Sequence, residues 1–200
     1  MQFIKHNELL SKLDELEEIF KMERSHENLL NVVIMALYIL QPPLRNDYYN
    51  IIFIDDIEQE TDKKQNYIIK AGGLYNVIIN KDAMSRNHGR DVIPIHNGRL
   101  TDILNIYTST YGRINEPLFM NADGSAFSKN KITYILKKLF KRENKILTIE
   151  NLRKAYIQYY YNLNRDNASR ENLARRMRHS QNKADLIYAK SPKYAGIKFI

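Results

Sequence analysis

The sequence contains no cysteine. Disulfides, thiolate catalysis and cysteine-ligated zinc or iron–sulfur centres are therefore excluded together. The absence fits a reducing compartment. Long apolar runs are also missing. The longest, Leu29 to Leu40, is broken by Asn31 and is too short to span a bilayer; it reads as a buried core helix. The first residues, MQFIKHNELL, lack the apolar stretch of a secretory signal. The expectation is an intracellular protein, not secreted, with no membrane partner. No glycine-rich nucleotide-binding loop and no metal-ligand cluster stand out, so neither cofactor nor metal is expected. Internal repeats and low-complexity segments are absent as well.

What is present suits one globular domain with short appendages: 200 residues, 44% hydrophobic and 27% charged. The formal net charge is +8 and the pI about 9.4. A basic surface attracts polyanions, of which nucleic acid is the commonest. Asn, Lys, Ile and Tyr are abundant, and their AT-rich codons point to an AT-rich genome.

Hydrophobic periodicity predicts a helix over His6–Met22, with Leu9, Leu10, Leu13, Leu16, Ile19 and Phe20 on one face. Ser25 is placed to cap a second helix running through Leu40, and Pro42 and Pro43 end it. Short β-branched or aromatic runs follow at 51–54, 67–69, 75–79 and 92–95, separated by turn-like DDIEQETDKKQN, AGG and SRNHGRD. Helical patterns return at 99–111, 128–140, 149–162, 170–178 and 183–190, with Ser128, Thr148 and Ser169 as expected N-caps. The expected class is α+β, mostly helical, with a small antiparallel sheet of three or four strands packed against helices.

Five residues stand in a specific order. Arg45 lies in QPPLRNDYY, just past the central helix. Lys81 follows the predicted strand at 75–79. Arg153 lies in TIENLRKAYIQYYY. His179 lies in RMRHS, and Tyr188 follows it by nine positions. This series resembles the active site of tyrosine recombinases, the phage-integrase family. The likeness runs from about Ser25 to Lys190. The PPLRNDY segment is similar to integrases of virophages and related virus-like mobile elements.

The resemblance implies a site-specific recombinase or integrase that cleaves and rejoins double-stranded DNA through a 3′-phosphotyrosine. It implies Tyr188 as nucleophile, Arg45, Arg153 and His179 on the phosphate, and Lys81 as donor to the leaving 5′-oxygen. The chemistry is consistent with those residue types. Guanidiniums offer forked, permanently charged hydrogen bonds to non-bridging oxygens. A positioned amine can serve as general acid, and a covalent link conserves bond energy. The resemblance further implies that rejoining needs neither ATP nor metal, and that the protein works as a homotetramer on DNA.

Two departures from the family pattern bear on activity. The family usually has His or Lys three positions before the second arginine, where Glu150 stands here. Either Glu150 points away, Lys154 substitutes from the same helix, or activity is impaired. The family also often has an acidic residue shortly after its first arginine, and Asp47 is the nearest candidate. Each residue also has a plainer reading. Most of the 14 tyrosines pack in the core or on the surface. Arg153 could pair with Glu150 along the helix. Lys70 rivals Lys81. Arg86, His88, Arg90, Lys129, Lys131, Lys137, Lys138, Lys141 and Arg142 form either a solvated face or, for some of them, phosphate contacts.

The expected organisation is an N-terminal helix and linker over 1–24, a catalytic domain over 25–190 and a tail over 191–200. Family members carry a separate helical DNA-binding domain before the catalytic one. Only about two dozen residues precede it here, as in a fragment or a minimal form. The apolar tail, SPKYAGIKFI, either folds back or docks on a neighbouring subunit. The rival functions are a type IB topoisomerase, which would use nearly the same residues, and a catalytically impaired DNA-binding relative.

Overall fold

The computed structural model describes residues 4–80, 89–121, 123–141, 147–164 and 166–178. Two helices open the chain, α1 (His6–Met22) and α2 (His26–Ile39). In α1, Leu9, Leu13 and Leu16 are buried at the i, i+4, i+7 spacing of one helical face. Ser25 caps α2 by accepting from the Asn28 N–H at 3.2 Å. From Leu29 to Ile39 only Asn31 escapes full burial. This helix is the centre of the molecule and packs against α1, α3 (Gly98–Tyr111), α4 (Lys131–Leu139) and α5 (Ile149–Leu163).

The strands are β1 (Ile52–Ile54), β2 (Tyr67–Ala71), β3 (Leu74–Ile79), β4 (Asp91–Ile95) and β5 (Glu116–Pro117). They form one sheet in the order β4-β3-β2-β1-β5. The β2–β3 hairpin turns on Gly72 and Gly73, whose φ values of 59° and 80° suit a two-residue turn that needs left-handed backbone at both positions. Side chains alternate across the sheet. Phe53, Ile68, Val77 and Ile79 join the helical core, while Ile54, Tyr67, Ile69 and Ile78 form a separate cluster on the other face.

Two features of the sheet differ from expectation. It has five strands, and β1 runs parallel to β2, with Phe53 opposite Ile68. Residues 55–66, read from sequence as a turn, are long enough to cross over, which is what a parallel pair requires. They include a one-turn 3₁₀ helix, Ile57–Gln59, capped by Asp56. The fifth strand is too short for any periodic signal. It is set by the Asn115 N–H to Phe53 carbonyl bond and the Leu118 N–H to Ile51 carbonyl bond, each 2.8 Å.

The helical boundaries also shift. Thr148 caps α5, accepting from the Asn151 N–H at 3.2 Å. Ser128 is not a cap, because α4 begins at Lys131 behind Asn130. Helix α6 spans Asn167–Arg176, and Ser169 lies inside its first turn. Its cap is Asp166, which accepts from the Ser169 N–H at 2.7 Å; a carboxylate there also suits the positive end of the helix dipole. Helices α5 and α6 share a small core of their own, built from Tyr156, Ile157, Tyr161, Leu173 and Met177. Among the described residues no helix is long and apolar enough to cross a membrane.

Candidate active site

Past the end of α2, the chain enters a loop whose start, Gln41-Pro42-Pro43-Leu44, is buried. Proline cannot continue the helix, so the chain turns here. Several bonds then fix the loop around Arg45. The Tyr38 hydroxyl donates to the Arg45 carbonyl at 2.8 Å. The Tyr48 ring meets Tyr38 edge to face at 5.3 Å, and Gln41 Nε2 donates to the Tyr48 hydroxyl at 2.7 Å. Asn46 Nδ2 donates to the Lys129 carbonyl, tying the loop to the approach to α4. Burial, helped by the neighbouring Tyr48 and Asp47, pushes the Tyr38 hydroxyl well above its ordinary pKa, so it stays a neutral donor. The backbone at Arg45 is thereby held, while its side chain is half-exposed.

Arg153 reaches the same region from the second turn of α5 and is 4% exposed. Its Nη1 donates to the Pro43 carbonyl at 2.5 Å and its Nη2 to the Met177 carbonyl at 3.0 Å. One guanidinium thus joins the Arg45 loop to the end of α6. Burial lowers its pKa to about 10, and the like charge of Arg45 adds to the fall; Glu150 and Asp47 act in the opposite sense. Arg153 therefore remains charged at neutral pH. Arg45 and Arg153 are close enough in space to feel each other, although far apart in sequence. Asp47 is buried at 7% exposure, and its carboxylate favours the charged form of Arg153.

Glu150 is exposed in the first turn of α5, where its carboxylate lies 3.7 Å from Lys154 Nζ. The intrahelical partner of Glu150 is Lys154, and the bonds of Arg153 go to carbonyls instead. Lys70 places its Nζ 5.7 Å from the centre of the Tyr75 ring. Lys81, His179 and Tyr188 lie outside the described residues, as do the expected helix at 183–190 and the tail.

Two features had no signal in the sequence. The Pro43 and Met177 carbonyls that seat Arg153 are backbone groups, which every residue carries. Glu60 sits in a stretch read as turn-like, yet it is buried. It accepts from Arg90 Nε at 3.1 Å, Arg90 Nη2 at 2.8 Å and Asn80 Nδ2 at 2.9 Å, and Lys63 Nζ lies 3.0 Å away. Arg90 is therefore engaged with Glu60 rather than standing as an open cation. Among the described residues no group of three or more His, Asp or Glu side chains could hold a metal ion.

A helical layer around α2 and a sheet of order β4-β3-β2-β1-β5 make up the fold. Three solved structures resemble it. XerH site-specific recombinase bound to its difH substrate, in a pre-cleavage complex, aligns over 98% of this chain and 53% of its own, with TM-score 0.65 and 16% identity. XerH with a palindromic difH substrate, in a post-cleavage complex, gives 95% and 49%, TM-score 0.65 and 14% identity. XerA recombinase gives 92% and 58%, TM-score 0.61 and 14% identity. The fold is that of the tyrosine-recombinase catalytic domain. The chain spans about half the length of these recombinases. No protein-family model and no curated protein matches it by sequence. Arg45 and Arg153 come from the two segments that flank the sheet in sequence.

Proposed function

We propose that this chain is the catalytic domain of a site-specific DNA recombinase that cuts and rejoins DNA through a covalent bond to Tyr188. The observation that carries the reading is the recombinase fold, in which Arg153 of α5 is hydrogen-bonded to the loop that holds Arg45, through the Pro43 carbonyl. Like charges repel and a buried charge is costly, so an anion held by both guanidiniums would be stabilised there. A phosphodiester is such an anion. Arg153 spends one N–H of each terminal nitrogen on carbonyls, which fixes the plane of its fork; a guanidinium has five N–H donors, so others remain for a phosphate.

In this reading the two guanidiniums and His179 bind the non-bridging oxygens, whose charge rises as the phosphorus is attacked. The Tyr188 oxygen forms a bond to phosphorus and loses its proton. The bond to the 5′-oxygen breaks, and Lys81 supplies that oxygen with a proton. The reverse attack by a 5′-hydroxyl releases Tyr188 and reseals the strand. Glu150 is exposed, with Lys154 Nζ 3.7 Å away to offset its charge, which favours an active enzyme over an impaired relative. Strand exchange would proceed in a tetramer on DNA, with the tail from Ser191 to Ile200 docked on a neighbouring subunit. The likeness of QPPLRNDYY to integrases of virus-like elements makes a mobile element the proposed setting.

The test uses a library of nicked duplexes with randomised cores, in which cleavage lets a short fragment diffuse away and traps the adduct. Wild-type protein should form a denaturant-stable adduct mapping to Tyr188, and Tyr188→Phe should bind DNA but form none. An adduct on another tyrosine, such as Tyr160 or Tyr194, or no adduct at all, would overturn the assignment. Relaxation of supercoiled plasmid without recombinant products would favour the topoisomerase.

A further inference from the structure

Residues 177 and 178, where the chain leaves α6, are anchored three times over. The Met177 side chain is fully buried in the core shared by α5 and α6. Its carbonyl accepts from Arg153. Arg178 then takes a left-handed conformation with φ 53°, its N–H donating to the Arg175 carbonyl at 2.9 Å. That turn at a helix end is ordinarily glycine's, because a β-carbon is strained there. The strain is accompanied by an unusual side chain. The Arg178 guanidinium is 4% exposed; its Nη2 donates to the Gly89 carbonyl at 3.1 Å and its Nη1 lies 3.6 Å from Asp91 Oδ2. Beside this contact, α6 and β4 are separated by an open cleft of about 250 Å³ lined by Asp91, Val92, His96, Arg175 and Arg176. The Arg178 bonds bridge from the end of α6 to the head of β4 beside that cleft.

We infer that Arg178 is a positioning residue, a buried tie from the end of α6 to the head of β4 that fixes where the chain departs toward His179. The inference rests on the recombinase reading. A glycine would make the left-handed turn without strain but could not reach β4. A strained arginine at that position is explained by the reach of its side chain. The tie also fixes Arg178, the residue bonded to His179, relative to Gly89 at the head of β4. A shift of Arg178 would move the point from which the chain runs on to the proposed phosphate ligand, and an error of an ångström in such geometry is costly.

The test compares wild type, Arg178→Gly and Arg178→Lys in the full chain. With the randomised-core nicked duplexes at saturation, Arg178→Gly should slow single-turnover adduct formation by on the order of tenfold or more. DNA affinity should not change, because the side chain is buried, and Arg178→Lys should recover part of the rate. A merely structural cap predicts the opposite: glycine would relieve the strain and leave the rate alone. Wild-type rates in Arg178→Gly, or a loss explained by weaker DNA binding, would overturn the proposal. Amide hydrogen exchange provides a readout independent of chemistry. In Arg178→Gly, exchange should quicken in Asp91–Ile95 and at the end of α6, and unchanged exchange there would also overturn it. If wild type forms no adduct with any duplex, the recombinase reading fails, and the exchange result alone decides whether Arg178 is the tie.

Discussion

Replacing Arg153 by lysine separates what the guanidinium does from what any positive charge would do. Its two carbonyl bonds, at 2.5 and 3.0 Å, diverge to two segments of chain. An ammonium at the end of a flexible stem can keep one of them. Each bond from a charged donor contributes about 1.5–3 kcal/mol, and a buried carbonyl left without its donor costs roughly another 1 kcal/mol. Arg153→Lys should therefore lose about 3 kcal/mol. For a chain of this length that corresponds to a fall of roughly 6–12 °C in melting temperature. Calorimetry at neutral pH measures it directly. Cleavage should fall further than stability explains, by on the order of a hundredfold at saturating DNA and at a temperature where the variant is folded, because the remaining fork donors are lost as well. A melting temperature within about 2 °C of wild type would refute the structural argument. A stable fold loss accompanied by full activity would refute the catalytic one.

Three further outcomes are expected. His6 is buried, stacks on Tyr159 at 4.1 Å and has its pKa lowered by burial from 6.5 to about 4. The unfolded chain takes up that proton first, so stability should be full above pH 6.5 and fall by up to about 3 kcal/mol as the pH drops toward 4. His6→Phe should flatten this part of the urea-unfolding profile, and parallel profiles for the two proteins would dismiss the effect. The Arg90 fork, with Asn80 and Lys63, holds the Glu60 carboxyl down at about 2, so Glu60→Gln should cost about 2 kcal/mol at pH 7. That difference should shrink as the pH falls from 4.5 toward 2, where the wild-type carboxylate protonates, and equal urea midpoints at pH 7 would contradict it. Adduct formation should persist in EDTA, since the arginines, lysine and histidine supply the positive charge; strict dependence on magnesium, restored by manganese, would point to another phosphoryl-transfer mechanism.

Local chemistry along the chain was sufficient for the helices with strong periodicity and good caps. The span of α1, the Ser25 cap and the proline stop after α2 all follow from short-range rules, since each depends on neighbours within a turn or two. The strands were legible for the same reason, because β-branched runs between turn residues mark extended backbone wherever they pair. The order of Arg45, Lys81, Arg153, His179 and Tyr188 was legible too, as a pattern of residue types and spacings. Pairing and partnership were not. Nothing local in Ile52–Ile54 distinguishes a parallel neighbour from an antiparallel one, and the two-residue β5 exists only because β1 offers it an edge. Ser169 has the same hydroxyl chemistry as Thr148, yet the carboxylate of Asp166 took the cap three residues earlier.

The residues around the arginines show where that division falls. The sequence alone determined which side chains could hold a phosphate, because charge and donor geometry belong to the residue type. Only the tertiary structure decided that Arg153 is seated on the carbonyls of Pro43 and Met177, that Glu150 faces Lys154, and that Asp47 is buried within electrostatic reach of Arg153. The physical reason is the same throughout. A backbone carbonyl has no residue-type signature, and the energy of a charge depends on burial and on neighbours that come from distant segments of the chain.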